Sequence, residues 1–225
     1  MNEIIISLGG SLIVPDKLDI EFLKKFRGLV LSHVKKGKRF IIICGGGRTA
    51  REYQHAASAV TELTRDDLDW LGIHSTRLNA HLLRTVFRKE AHPVIIKNPN
   101  KKIQTSRPVI IASGWRPGCS TDYDAVLLAK NYRAKTIINL SNIDYVYDKD
   151  PAKHKDAKPL KEIKWEDFRK LVGDKWDPGL NAPFDPVASK EAHRLGLEII
   201  IMNGSRPENL DNYLNGKGFK GSVIR

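Results

Sequence analysis

The sequence predicts an α/β fold in which a mainly parallel sheet is sandwiched between helices. Three features point there: Ile- and Val-rich runs too continuous for half-exposed strands, helical spacing between most of them, and glycine-rich turns directly after two of the runs.

The apolar runs are Ile4–Leu8, Phe40–Cys44, Pro93–Ile96, Pro108–Ala112, Thr136–Leu140 and Glu198–Met202. Each reads as a strand buried on both faces. Between the first two, Phe22, Phe26, Leu29 and Val34 recur at helical spacing. Leu68, Leu71, Leu78, Leu82 and Val86 predict a longer helix starting after the capping-type residues Asp66 and Asp67. Ala125, Leu128 and Ala129 mark a short helix after "STD". Val187, Ala188, Ala192 and Leu195 mark another after "FDP", with Asp185 at its N-cap and Pro186 at its first helical position. No repeat, low-complexity tract or long linker divides the 225 residues.

A chain of this length can bury a core without disulfide or metal staples. Its two cysteines, Cys44 and Cys119, form no scaffold, and its seven histidines match no zinc spacing. The opening apolar run is too short for a membrane span. A soluble protein of the reducing cytoplasm is expected. The net charge of +12 raises the question of nucleic acid. The basic residues of Lys24–Arg39 and Lys97–Arg107 alternate with apolar ones or fall in turns, and no RRM, KH or zinc-finger pattern accompanies them, so solvated faces explain the charge better.

In open α/β sheets, ligands bind beyond the carboxyl ends of the strands. Two glycine turns fall there, "SLGGSL" (Ser7 to Leu12) and "CGGGRTAR" (Cys44 to Arg51). Glycine lets backbone approach a ligand closely, and amides opening a helix attract anions. Both turns are candidate phosphate cradles. The Walker pattern is absent. Gly45, Gly47 and Ala50 satisfy G-x-G-x-x-A, but the acid-ended strand that a dinucleotide fold needs about 20 residues on is replaced by "ASAVTELTRDDLDW".

Three further segments carry polar residues at strand ends: "GWRPGCSTDYDA" (Gly114 to Ala125), "NLSNIDYVYDKDP" (Asn139 to Pro151) and "NAPFDPVASK" (Asn181 to Lys190). Helical side chains lean toward the N-terminus, so Lys190 can aim at whatever the strand ends hold. On spacing alone Lys190 reads more readily as a surface lysine, and Asp122 and Asp144 are equally cap or turn carboxylates.

Together with "ISLGGSL", "CGGGRTAREY", "DWLGIHSTRLNAHLL" and the final "GSVI", these segments resemble the amino acid kinase superfamily, and within it the archaeal-type uridylate kinases. The resemblance spans nearly the whole chain. It implies one three-layer αβα domain over residues 1–225, with an acceptor-binding N-terminal part and an ATP-binding C-terminal lobe, that transfers the γ-phosphoryl group of ATP to UMP. By likeness, Gly9, Gly10 and Ser11 cradle donor phosphates, while Gly46, Gly47 and Arg51 line the meeting point of donor and acceptor. Asp69 holds the acceptor ribose. Trp115, Arg116, Pro117, Gly118, Cys119, Ser120 and Thr121, with Asp122 beyond them, enclose UMP. Asn142, Tyr147 and Asp150 hold the adenosine, Lys190 stabilises the group in flight, and Asp144 orients the cations around it. Mg²⁺ arrives on the nucleotide rather than in a protein cage, and a homo-oligomer, a hexamer built from dimers, is implied.

Such chemistry suits these residue types. The acceptor is an anionic phosphate oxygen, so no base is needed, and catalysis is positioning and charge stabilisation. The sequence departs from the superfamily at three places: Ser7 stands where many members carry lysine, Tyr145 where glycine is usual, and Trp115–Arg116 are bulkier than the usual residues before "PG". The remaining alternatives are another phosphate or carboxylate acceptor, or a non-catalytic nucleotide- or RNA-binding relative.

Overall fold

The computed structural model describes residues 3–173, 175 and 182–225. Asn181, which opens one of the segments singled out above, lies outside the described residues. In chain order the elements are β1 (Ile4–Leu8), α1 (Gly10–Ile13), α2 (Ile20–Lys35), β2 (Phe40–Cys44), α3 (Gly47–Val60), α4 (Arg65–Val86) and β3 (Val109–Ala112). Then come α5 (Thr121–Tyr132), β4 (Thr136–Ser141), β5 (Val146–Tyr147), β6 (Pro159–Leu160), β7 (Glu162–Ile163) and α6 (Trp165–Val172). The chain finishes with α7 (Pro186–Arg194), β8 (Glu198–Asn203), α8 (Pro207–Leu214) and β9 (Ser222–Ile224).

The main sheet has the order β3-β2-β1-β4-β8-β9-β7 and is parallel from β3 to β8; β9 runs antiparallel to β8. Alternation along the strands divides the core. Ile6, Leu8, Phe40, Ile42, Ile138 and Leu140 face α1, α2, α4 and α8, whereas Ile5, Ile41, Ile43, Ile137, Ile199 and Ile201 face α5, α6 and α7. These are the three layers expected. The chain winds outward from β1 through β2 to β3, then crosses back to β4 on the other side of β1. That reversal leaves a crevice at the carboxyl ends of β1 and β4.

Two expectations fail. Residues 93–96 are not a strand: Ala91 and Ile96 make isolated parallel bridges to Val109 and Ala112 of β3. Between the bridges Pro93 has no N–H to give and Val94 is 61% exposed, so a ladder cannot form. The long helix α4 begins earlier than Asp66 and Asp67 suggest. Thr64 is its N-cap, and Thr64 and Asp67 form a reciprocal capping box, Thr64 N–H donating to Asp67 Oδ2 at 2.9 Å. That pairing holds the Asp67 carboxyl below its ordinary pKa.

Candidate active site

The two glycine turns meet backbone to backbone. A Cβ on Gly10 would lie 2.1 Å from the Gly47 nitrogen and 2.6 Å from the Gly45 carbonyl; one on Gly47, whose φ is +66°, would lie 2.3 Å from the Gly10 oxygen. Side chains are excluded from all three positions. Because β1 and β2 are adjacent and in register, with Leu8 beside Cys44, their loops are forced into the same space. Asn79 of α4 holds the second turn from outside, its Nδ2 donating to the Gly45 and Gly46 carbonyls at 2.8 and 3.2 Å.

Some amides of these turns are already engaged. Gly9 N–H donates to the Leu140 carbonyl at 2.8 Å and Gly45 N–H to Leu8 at 2.9 Å. Gly9 therefore fastens the turn to β4 rather than offering its own amide to a phosphate. The Gly10 and Ser11 amides open the first turn of α1, and those of Gly46 and Gly47 open α3.

The loop after β3 and the middle of α4 form one wall. Gly118 N–H donates to Asp69 Oδ2 at 2.7 Å, and Gly114 N–H to Thr76 Oγ1 at 2.8 Å. Arg77 donates to the Trp115 carbonyl at 3.1 Å, and the Arg116 guanidinium lies 4.2 Å over the Trp115 ring. Asp69, Trp115, Arg116, Pro117 and Gly118 thus share one surface. Ser120 caps α5 by accepting from Tyr123 N–H at 3.1 Å, with Thr121 at the first helical position. Cys119, in the same loop, is half-buried; burial pushes its thiol pKa up, with Arg116 opposing, so it is not an activated thiolate.

Asp122 faces inward. Its Oδ1 accepts from Ser7 Oγ at 3.0 Å and Asn139 Nδ2 at 3.3 Å, and its Oδ2 accepts from Asp185 N–H at 3.2 Å. Ser7 and Asn139 are register partners on β1 and β4. One carboxyl therefore joins β1, β4, α5 and the start of α7. Desolvation first, and the nearby Asp185 second, raise its pKa to about 7. Asp185 itself caps α7, accepting from Ala188 N–H at 2.5 Å, and is raised mainly by burial.

Asp124 had no part in the sequence reading. It is fully buried behind the acceptor-side loop, with Oδ2 accepting from Trp115 N–H at 3.0 Å and Oδ1 without a partner. Desolvation raises its pKa to about 7. Spacing could not reveal it, since an acid at the fourth residue of a helix normally signals a dipole partner. Asn79, Thr76 and Arg77 were visible as motif letters on α4, but their hydrogen bonds depend on packing against loops far along the chain.

On the far side of β1, Asn142, Tyr145, Tyr147 and Asp150 line a cavity of about 470 Å³ that Leu171 and Pro183 close. The β5–β6 hairpin supports it; Asp148 N–H donates to the Lys158 carbonyl at 3.1 Å. Asp150 Oδ1 accepts from Ala152 N–H at 2.9 Å, fixing the turn at Pro151. Asp144, in the loop between the lining residues Ile143 and Tyr145, accepts from Asn203 Nδ2 at 2.8 Å. Lys190 is exposed on α7 and Arg51 is exposed on α3.

Residues 2–203 match the model of the amino acid kinase family. The chain belongs to the amino acid kinase family. Amino acid kinase relatives of nearly equal length include the uridylate kinase of Thermococcus sibiricus, 31% identical over 224 residues and 98% of both chains. That of Thermoplasma volcanium is 34% identical, covering 96% of this chain and 95% of its own. The crystal structure of uridylate kinase from Archaeoglobus fulgidus superposes with a TM-score of 0.83 at 28% identity, covering all of both chains.

Proposed function

We propose that this protein is a uridylate kinase transferring the γ-phosphoryl group of ATP to UMP, giving UDP and ADP. The observation that carries the reading is the backbone contact of Gly10 with Gly47 at the crevice, with an adenosine-sized cavity beyond β4 on one side and the loop after β3 on the other. Relatives named uridylate kinase match the chain over its full length, which supports UMP as acceptor.

In this reading, amides of Gly10, Ser11, Gly46 and Gly47 neutralise phosphates brought together from the two sides. Asn142, Tyr147 and Asp150 contact adenosine. Asp69 binds the acceptor ribose, and the loop from Trp115 to Thr121 encloses the base and phosphate. Arg51 forks onto the acceptor phosphate, which suits a planar guanidinium. Lys190 follows the transferring group as a mobile point charge. Asp122 acts from beneath by holding the four elements in register through the three hydrogen bonds that its carboxyl accepts.

Mg²⁺ fits as a passenger of the triphosphate. Asp144, beside the lining residues Ile143 and Tyr145, would orient the cations around the transferring group. When bound, Mg²⁺ offsets charge on the β- and γ-phosphates.

A homo-oligomer, in our reading a hexamer built from dimers, accounts for a second feature. Tyr53, Val60, Trp70 and Leu78, on α3 and α4, are 63%, 86%, 43% and 63% exposed. Tyr53, Trp70 and Leu78 also line a cavity of about 580 Å³ between the two helices. Leu78 was expected to face the core; Ile73, Ala80 and Leu83 do so instead. Among the described residues no helix is long and apolar enough to cross a membrane.

The test is a panel of nucleoside monophosphates with ATP and Mg²⁺, followed by ADP release, beside RNA binding at two salt concentrations. UMP-selective release is expected. Equal release with all acceptors, or salt-sensitive RNA binding without turnover, would replace the reading.

A further inference from the structure

Among the described residues, Ser7 and Arg48 near the ends of β1 and β2 are already engaged, and the loop after β8 carries Arg206. Ser7, near the end of β1, is buried and gives its hydroxyl to Asp122 at 3.0 Å. Arg48, at the start of α3, is engaged by Asp16 and by Glu52, the latter at 2.6 Å.

The loops leaving β4 and β8 run side by side, because Ser141 and Asn203 are register partners. Gly204 N–H donates to the Ser141 carbonyl at 2.9 Å, and Asn203 Nδ2 donates to Asp144 Oδ1 at 2.8 Å. The Arg206 guanidinium stands 3.7 Å from Asp144 Oδ2.

The backbone beneath Arg206 is firmly built. Asn203 Oδ1 accepts from both the N–H and the hydroxyl of Ser205, at 3.0 and 2.7 Å. Pro207 fixes φ at the next residue as the first position of α8. Gly204 packs so closely on α1 that a Cβ there would come 2.4 Å from Leu12 Cδ1. The loop is thereby seated on the short helix that carries the first glycine turn. Arg206 itself is 53% exposed, and its contact with Asp144 is a long ion pair, not a bidentate fork. Most of its five N–H donors are left for an anion.

We propose that Arg206 is a donor-phosphate ligand of this kinase, held by Asp144 beyond the carboxyl ends of β4 and β8. Asp144 holds the guanidinium beside the loops that leave β4 and β8, and the triphosphate takes up the donors that Asp144 leaves over. This inference rests on the kinase reading above and names a residue of the same site.

The experiment measures binding of Mg²⁺-ATP and of adenosine to the full chain by calorimetry, for the wild type, Arg206→Ala and Arg206→Lys, together with KM for both substrates. Loss of a charge-assisted phosphate contact should weaken ATP binding by about tenfold or more in Arg206→Ala, with partial recovery in Arg206→Lys. Adenosine affinity and the KM for UMP should stay within about twofold, a split that a merely structural role would not produce. ATP affinity unchanged in Arg206→Ala, or adenosine affinity falling in parallel, overturns the proposal while leaving an active wild type as a kinase. A wild type that phosphorylates no UMP removes the kinase reading and this inference with it.

Discussion

Gly10 and Gly47 touch through their backbones, the nitrogen of one lying where the first side-chain atom of the other would be, at 2.1 Å. The catalytic crevice is built on that contact. Gly10→Ala cannot be absorbed by a flexible side chain, since the clashing atoms are backbone. It should abolish activity and lower soluble yield. Gly28 is a control: it lies in α2 with nothing within 4 Å of its would-be Cβ. Gly28→Ala should leave kcat unchanged and stabilise by about 0.5–1 kcal/mol through helix propensity. Thermal melts and yields of the two variants check both outcomes.

Arg51→Ala should raise the KM for UMP by about tenfold or more while the KM for ATP moves little, as expected for loss of one charged phosphate contact. Steady-state kinetics with each substrate varied decide this. An unchanged UMP requirement would remove the assignment of Arg51 to the acceptor.

Lys190→Ala should lower kcat by about a hundredfold with nucleotide affinity nearly retained, because its contact strengthens in the transition state. Single-turnover phosphoryl transfer is the measurement. Turnover near that of the wild type would end the role given to Lys190.

Asp122 and Asp124 both titrate near pH 7 in the folded protein, against an ordinary value of 3.8. A raised folded pKa means that the folded state binds the proton more tightly than the unfolded chain. The stabilisation is complete below about pH 4 and is lost as pH climbs to about 7. Stability attributable to these groups should therefore fall across that window, by a few kcal/mol at most. Asp124→Asn keeps an acceptor for Trp115 N–H while removing the ionisation, so its melting temperature should depend less on pH than that of the wild type. Denaturant midpoints at pH 5 and pH 8 check the sign.

Cys44 is fully buried and Cys119 half-buried, and burial raises the pKa of each thiol. The native protein should react with iodoacetamide at pH 7 more slowly than free glutathione does, while the unfolded chain should titrate both thiols. Mass spectrometry of the alkylated protein reads the difference.

The sequence by itself determined the succession of strand, turn and helix. Continuous Ile-rich runs commit β1, β2, β4 and β8 to a buried sheet, and Asp185–Pro186 marks the start of α7 without reference to anything distant. The two glycine turns that meet at the crevice were legible to the same extent, because they are local letters. Tertiary structure decided which letters face each other. The crossover that sets β4 beside β1 made Asp122 a tie between four elements, and brought Gly9 N–H onto Leu140. It buried Asp124 and left Leu78 exposed on a helix whose periodicity allowed either. It also reduced residues 93–96 to two bridges at the sheet edge. Periodicity reports how a segment can be buried, whereas the identity of its neighbour depends on strand order, and that order is fixed only when the whole core closes.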